Sequence, residues 1–141
     1  MEEKQQKDIT EELSYYRKLI DSTENQIKSL ETLSAEVNTT ISILSDPEIF
    51  KSYDQKMSIG SGIFIPVRIE EPERIIVPIG SDVFVEEDVE KARKHVEASL
   101  EQITSTIKNL YARRKELVNR YEALLMFLQR AATAEGKGKD A

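Results

Sequence analysis

The 141-residue sequence contains no cysteine and no tryptophan, and it has a single histidine. The absence of cysteine excludes a disulfide framework, a thiolate nucleophile and a cysteine-based zinc site. One histidine excludes the common zinc constellations, and no Ser-His-Asp arrangement is indicated. His95 lies off any apolar pattern, and we expect it to be solvated. The composition points away from an enzyme, and we predict no catalytic residue and no metal.

Glycine is also scarce, with five residues in the chain, and neither of its clusters has the spacing of a nucleotide site. Residues 60–62, Gly-Ser-Gly, precede a predicted strand rather than the start of a helix, so a turn explains them better than a phosphate cradle. Residues 136–139, Gly-Lys-Gly-Lys, lack the Walker spacing and the Ser or Thr that follows it. We therefore predict no nucleotide and no other cofactor.

No apolar run reaches the roughly 20 residues that cross a bilayer, and segment 1–8 is too polar for a signal peptide. We therefore expect a cytoplasmic protein without membrane contact. The net charge of −6 disfavours nucleic acid as the main partner, since phosphate binding relies on Lys and Arg. Residues 1–50 hold 11 acids and 5 bases, whereas residues 89–141 hold 7 acids and 11 bases. Opposite signs suggest that these two segments lie against each other.

These two charged segments carry residues at alternating spacings of four and three, which is the heptad repeat of a coiled coil. In the first segment the repeat positions are Ile9, Leu13, Tyr16, Ile20, Thr23, Ile27, Leu30, Ser34, Val37, Ile41 and Leu44. In the second segment they are Val89, Arg93, Val96, Leu100, Ile103, Ile107, Leu110, Arg114, Leu117, Tyr121, Leu124, Leu128 and Ala131. We predict helices over 9–46 and 88–133, the second capped by Asp88, that form an antiparallel hairpin with Ile9 opposite Leu124. A disordered tail is predicted over 134–141.

Residues 59–88 separate the predicted helices and show the period of two that is typical of strands. The apolar residues that follow this period are Ile63, Ile65, Val67, Ile69, Ile75, Val77, Ile79, Val83 and Val85. Turn residues join the runs, with Glu-Glu-Pro-Glu at 70–73 and Gly-Ser-Asp at 80–82, so the pattern predicts a small antiparallel meander. So few strands leave unpaired edges, which predicts that region 53–86 pairs with other chains and that these nine residues form an oligomer interface.

One run in the second helix does not fit a coiled-coil seam. Residues 124–128, Leu-Leu-Met-Phe-Leu, are all apolar, although the seam needs only the first and the last. Leu125, Met126 and Phe127 should therefore face solvent or a partner, and Tyr15 is a second aromatic residue outside the seam. Exposed apolar patches of this kind usually mark an interaction site. A widened seam, or a helix end that packs in an oligomer, would also explain the run.

The sequence also resembles a known family. The order of a heptad segment, IGSGIFIPVRI at 59–69, an acidic turn, ERIIVPIGSDVFVEED at 73–88 and a second heptad segment is similar to the alpha-class subunits of prefoldin, a chaperonin cofactor. The motif PIGSDVFVEED at 78–88 resembles the second hairpin of that family most closely. Two hairpin-forming segments fit the alpha class, whereas the beta class has one. Residues 53–58 are more polar than the usual first strand, which leaves the pairing of that strand open.

The resemblance implies an α+β fold, a long antiparallel coiled-coil helical hairpin with two small β-hairpins inserted between the helices. The strands would oligomerise into a β-barrel body in a hexamer of two alpha-class copies of this chain and four beta-class prefoldin subunits. The ends of the coiled coils would hold non-native polypeptides and pass them to a group II chaperonin without nucleotide. On this chain, the implied tip residues are Ile9, Leu13, Tyr15, Tyr16, Leu125, Met126 and Phe127.

Two functions are then open from the sequence. The first is a subunit of an ATP-independent holding chaperone, in which weak apolar contacts at several coiled-coil ends act together. The second is a coiled-coil scaffold or adaptor that binds one defined protein partner through the same residues.

Overall fold

The computed structural model describes residues 2–46, 48 and 55–139 of the chain. Within these residues, six elements follow one another: α1 (Glu3–Leu44), β1 (Gln55–Gly60), β2 (Ile63–Val67), β3 (Arg74–Gly80), β4 (Val83–Asp88) and α2 (Val89–Lys139). Two long helices with two small antiparallel hairpins between them confirm the α+β fold. Within these described residues, neither helix is long and apolar enough to cross a membrane.

The chain divides into two compact units. The helical unit contains residues 1–32 and 104–141, which include the first part of α1 and the last part of α2. The hairpin unit contains residues 33–103, with the four strands, the last part of α1 and the first part of α2.

A heptad seam holds the helical unit together. Every described residue of the two predicted heptad series is buried or half-buried, and the most deeply buried apolar residues in this unit are Leu13, Ile27 and Leu117. Thr23 is a polar member of the seam with only 3% of its surface exposed. Its hydroxyl donates to the Leu19 carbonyl at 2.7 Å, so the seam contains this polar group without leaving its donor unpaired. The coiled coil predicted from the spacing is confirmed.

Polar side chains join α1 to α2 at several levels of the helical unit. Among these pairs are Gln6 Nε2 with Glu135 Oε2 at 3.4 Å, Arg17 Nη2 with Tyr121 Oη at 3.4 Å, Arg114 Nε with Glu24 Oε1 at 2.9 Å, and Tyr111 Oη with Glu31 Oε1 at 2.5 Å. Exposed polar pairs contribute little to stability, because water competes for both partners, so the apolar seam carries most of the stability. The bond from Tyr111 raises the pKa of that phenol, because the neutral hydroxyl is the donor to the Glu31 carboxylate.

These pairs correct the predicted register of the helices. With Ile9 opposite Leu124, Gln6 would lie near Phe127, whereas it bonds to Glu135. The prediction is therefore wrong by about one to two helical turns. Heptad repeats leave this choice open, because sliding one helix by seven residues again presents apolar side chains to the seam.

The ends of the helices also differ from the predicted bounds. α1 begins at Glu3 and ends at Leu44, and α2 continues to Lys139, so residues 134–139 are helical rather than a disordered tail. Residues 131–134, Ala-Ala-Thr-Ala, include three of the strongest helix formers, which favours continuation of α2 past 133. The side chain of Glu135 also has a partner on α1 in Gln6.

The described part of the hairpin unit contains two separate sheets. β1 pairs antiparallel with β2, and β3 pairs antiparallel with β4, but β2 and β3 do not pair within the described residues. The two hairpins implied by the resemblance are confirmed, and the single meander predicted from the residue pattern is wrong. Pro66 in β2 and Pro78 in β3 each remove one backbone donor, which disfavours a ladder between these strands. β1 begins at Gln55, and residues 53–54 of the predicted first strand lie outside the described residues.

Both hairpins turn on the same backbone conformation. Gly60 and Gly80 have φ values of 102° and 115°, at the point where the register shifts in each hairpin. These values favour glycine, because a Cβ atom is strained in this region. The next residues, Ser61 and Ser81, have φ values of 54° and 48° in the left-handed region typical of two-residue hairpin turns. The repeated Ile-Gly-Ser sequence therefore encodes the repeated turn.

The start of α2 is fixed to the second hairpin. The Lys91 amide donates to Asp88 Oδ1 at 2.7 Å, which confirms Asp88 as the predicted cap. The Val89 amide donates to the Glu73 carbonyl at 3.1 Å, one pair beyond the end of the β3–β4 ladder. The helix thus starts directly from the strand, without a connecting loop.

Candidate binding surfaces

The helical unit exposes large apolar side chains at positions singled out from the sequence. Tyr15 is 60% exposed, Met126 51% and Phe127 56%. They lie at neighbouring levels of the helices, since Arg17 bonds to Tyr121 nearby. We call Tyr15, Met126 and Phe127 the exposed tip residues.

The other four predicted tip residues lie closer to the seam. Leu13 is buried, with 8% of its surface exposed, and Ile9, Tyr16 and Leu125 are half-buried. Leu13 and Tyr16 belong to the heptad series, so their side chains point at the other helix. Leu125 follows the seam residue Leu124 and widens the apolar contact. The five-residue apolar run thus divides between a widened seam and an exposed surface.

Two arginines lie beside the tyrosines of this region. The Arg17 guanidinium carbon is 6.0 Å from the centre of the Tyr121 ring, and the Tyr15 and Tyr16 rings meet edge-on at 6.0 Å. A hydrogen bond with Tyr16, together with the charge of Glu116, raises the pKa of Arg120. Sequence reasoning missed these arginines because they lie outside the heptad series. They place positive charge beside the apolar side chains.

The exposed tip residues are not at the very ends of the helices. The bond between Gln6 and Glu135 lies beyond them, so the helices remain paired past Met126 and Phe127. Met126 also borders a shallow groove of α2 whose other lining residues are Gln129, Arg130, Thr133 and Ala134. A polypeptide bound to these side chains would contact the flank of the coiled coil as well as its end.

The hairpin unit exposes a larger apolar surface. Of the nine predicted interface residues, five are exposed by more than a third: Ile63, Ile65, Ile69, Ile79 and Val83. The other four, Val67, Ile75, Val77 and Val85, are half-buried. A monomeric protein rarely exposes so many neighbouring branched apolar side chains. This surface therefore has the character of a hydrophobic core that is covered on one side only.

Five further apolar residues of the same hairpins are exposed and lie outside the predicted interface set. They are Met57, Ile59, Phe64, Ile76 and Phe84. Phe64, Ile76 and Phe84 alternate with the predicted residues, so the second face of each sheet carries apolar side chains as well. The sequence does carry a signal for these residues, because apolar side chains occur at odd and at even positions of the same strands. Such a pattern is typical of strands that are covered on both faces.

Charged residues accompany the aromatic residues on this second face. The Lys56 ammonium lies 4.4 Å from the centre of the Phe64 ring. Arg74 Nη1 pairs with Glu86 Oε2 at 3.1 Å, and both side chains are about 60% exposed. The second face is therefore amphipathic, in contrast to the branched apolar residues of the first face.

The three acids at 86–88 each have a role within the protein. Glu86 pairs with Arg74, Asp88 caps α2, and Glu87 Oε2 lies 3.1 Å from Nδ1 of His95. The Glu87 side chain is only 9% exposed, whereas His95 is 55% exposed. His95 is thus solvated, as expected, but it is also an ion-pair partner for Glu87 when protonated. No group of three metal-ligating side chains occurs in the described part of the chain.

Comparison with known proteins agrees with this architecture. The family model described as a prefoldin subunit matches residues 3–134. A prefoldin subunit alpha from Thermoplasma acidophilum is 36% identical over 118 residues, which cover 84% of this chain and 91% of that protein. A prefoldin subunit alpha from Picrophilus torridus is 37% identical over 100 residues, 71% of each chain.

A solved structure shows the same fold. It is the cryo-EM structure of filamentous PFD from Methanocaldococcus jannaschii, with a TM-score of 0.70 and 18% sequence identity. The similarity covers 83% of this chain and 98% of that one. With the coiled-coil seam, the two hairpins and the sequence relatives, the conclusion is that the chain belongs to the prefoldin family, as an alpha-class subunit of a chaperone that assembles from prefoldin subunits and not as an enzyme.

Proposed function

We propose that this chain is the alpha-class subunit of a cytoplasmic hexamer of two alpha and four beta subunits. The hexamer holds non-native polypeptides at the ends of its coiled coils and delivers them to a group II chaperonin without nucleotide. The exposure of Tyr15, Met126 and Phe127 is the observation that supports this best.

The chemistry of the exposed tip residues suits clients that share no sequence. Non-native proteins expose apolar side chains, and Met and aromatic residues contact such side chains in many geometries. Each contact is weak, because burying one side chain contributes about 1.5–3 kcal/mol before the cost of ordering. Several coiled coils acting on one polypeptide would raise the affinity through effective concentration.

The hairpins supply the second part of the proposal. Predicted interface residues such as Ile63, Ile79 and Val83 are more than half exposed in the single chain. Their burial against other subunits would complete a core that two-stranded sheets cannot form alone. Assembly through the strands would leave the helical units free to bind clients.

The proposal is tested by light scattering from an unfolded, aggregation-prone protein diluted into buffer without ATP. The measurement is made with this chain alone, with a beta-class subunit alone and with the two co-assembled. We expect the co-assembled complex to suppress aggregation of several unrelated proteins more strongly than either subunit. A complex of confirmed mass that binds one partner saturably, but leaves unrelated proteins to aggregate, would favour the scaffold instead.

A further inference from the structure

We infer that Glu87 of β4 and His95 of α2 form a proton-dependent clamp, which fixes the direction in which α2 leaves the second hairpin. Both residues belong to the hairpin unit. The clamp operates within the single chain, so it does not depend on the proposed function or on the joining of subunits.

Glu87 places a carboxylate on the more buried face of the β3–β4 hairpin. It opposes Ile75 in the ladder, and Val77 opposes Val85 on the same face. Only 9% of the Glu87 side chain is exposed, and its Oε2 atom is shielded from solvent. A buried carboxylate is costly unless a donor or a positive charge accompanies it. Glu87 therefore requires a partner on an element that packs against this face.

The ring of His95 is that partner. Its Nδ1 atom lies 3.1 Å from Oε2 of Glu87, and no other hydrogen-bond donor serves this oxygen in the described part of the chain. Nδ1 can donate only while it carries a proton, either in the imidazolium or in one neutral tautomer. Because 55% of the His95 side chain is exposed, the ring exchanges protons with solvent. One exposed ring thus determines how well a buried carboxylate is paired.

The charged neighbours of Glu87 on the strands are already engaged elsewhere. Glu86 and Asp88 point to the opposite face of β4, because side chains alternate along a strand. Glu86 pairs with Arg74 of β3 at 3.1 Å, and Asp88 accepts from the Lys91 amide. The residue of β3 directly opposite Glu87 is Ile75, which is apolar.

The charged neighbours of His95 on α2 do not replace Glu87. Lys94 is adjacent and Lys91 lies one turn earlier, and both have the same sign of charge as an imidazolium. The acids near His95 on this helix, Glu90 and Glu97, pair with Arg93. Among the described residues, no ion pair or hydrogen bond joins α1 to the clamp. Glu87 is therefore the contact that favours the charged form of the ring.

The pair lies where it can constrain the direction of α2. The helix starts at Val89 without a connecting loop, and the Asp88 cap holds only its first turn. His95 comes about two turns later, so its contact with Glu87 fixes a second point of the helix against β4. Ala92, one turn before His95, is only 1% exposed, which indicates close packing at this level.

The strength of the contact follows the protonation of the ring. A histidine is largely charged below about pH 6 and largely neutral above about pH 7.5. Hydrogen bonds between charged groups are roughly twice as strong as those with a neutral donor. The contact between β4 and α2 is therefore stronger in mildly acidic solution and weaker as the pH rises.

A double-mutant cycle measures this contact. The four full-length chains are the unmodified chain, His95→Ala, Glu87→Gln and the double variant. Urea unfolding, followed by the helical circular dichroism signal, gives the equilibrium constant for unfolding at about pH 6 and about pH 8.5. Other titrating groups are common to the four chains, so their contributions cancel. Lys94→Ala is the matched control, because Lys94 is exposed on the same turn of α2.

At about pH 6, His95→Ala should raise the unfolding constant about tenfold in the unmodified background and at most about twofold in the Glu87→Gln background. At about pH 8.5 the first effect should fall to about threefold, because a neutral hydrogen bond contributes less. Equal effects in the two backgrounds at the lower pH would overturn the pairing. A difference that does not change with pH, or a similar loss in Lys94→Ala, would overturn its dependence on the His95 proton.

The direction of α2 needs a separate measurement, since a loss of stability alone would not show a clamp. The chain has no cysteine, so Phe84→Cys and Glu101→Cys place two spin labels at exposed positions of β4 and α2 within one unit. The distribution of distances between the labels should be narrow at about pH 6 and broader at about pH 8.5. It should be broad at both pH values after Glu87→Gln. A width that changes neither with pH nor with Glu87→Gln would overturn the role of the pair in fixing the helix.

Discussion

The triple substitution Tyr15→Ser, Met126→Ser and Phe127→Ser is expected to raise by roughly tenfold the concentration of complex that halves the aggregation of an unfolded protein. More than half of the surface of each side chain is exposed, so the substitutions would remove the proposed client contacts without opening the seam. Loss of apolar contact area weakens each client contact, and the loss is repeated in every copy of this chain. The measurement is light scattering of the co-assembled complex without nucleotide.

A matched control removes apolar side chains elsewhere on the same helices. Leu33 and Ile43 of α1 are 41% and 40% exposed, and neither belongs to the heptad series. Leu33→Ser with Ile43→Ser should leave the half-effective concentration within about twofold, since these residues are outside the tip set. Equal losses in the control and in the triple variant would show that client binding does not depend on the exposed tip residues.

The second large effect concerns stability. Leu117→Ala should lower the free energy of unfolding by about 2–4 kcal/mol, because it leaves a cavity at a seam position with only 7% exposure. Urea unfolding followed by the helical circular dichroism signal would measure the loss. Tyr15→Ala should change stability by no more than about 0.5 kcal/mol, as expected for an exposed side chain.

A substitution at Leu13 distinguishes two possible roles of that residue, packing in the seam and contact with a client. It is a predicted tip residue, yet it is 8% exposed and lies in the seam. Leu13→Ala should therefore behave like Leu117→Ala in urea. A variant of full stability that still loses client binding would show that Leu13 contacts the client directly and would contradict its placement in the seam.

The long helices could be predicted from the sequence because a heptad repeat sustained over five heptads is typical of a coiled-coil helix and of few other structures. The register could not, because each seven-residue slip keeps apolar residues in the seam. Long-range polar pairs such as Arg114 with Glu24 are consistent with one register. Opposite net charges on the two segments indicated that they pair, but not at which level.

The hairpins show a different limit. Period two identified the residues of one face, such as Val77 and Val85, which oppose each other in the ladder. The period of two does not identify Phe64 and Phe84, because it selects alternate residues on one face of each strand and these two lie on the other face. Period-two runs joined by turn residues predict a meander, whereas the prolines in β2 and β3 favour two separate hairpins.

The exposed tip residues could be predicted in part. A run of five apolar residues cannot all face one partner helix, so the excess at Met126 and Phe127 was visible in the sequence. The half-burial of Leu125 depends on how wide the seam is, which only the packing of α1 against α2 determines. The arginines beside the tyrosines depend in the same way on register.

The most direct test of the central proposal is photocrosslinking from single positions of the assembled complex. A photoreactive side chain replaces Phe127 in one preparation and Leu33 in another, and each complex is irradiated with an unfolded client bound. Holding at the exposed tip residues predicts client crosslinks from position 127 and few or none from position 33. Crosslinks that are equally strong at position 33, or absent at position 127 while the complex still suppresses aggregation, would contradict it.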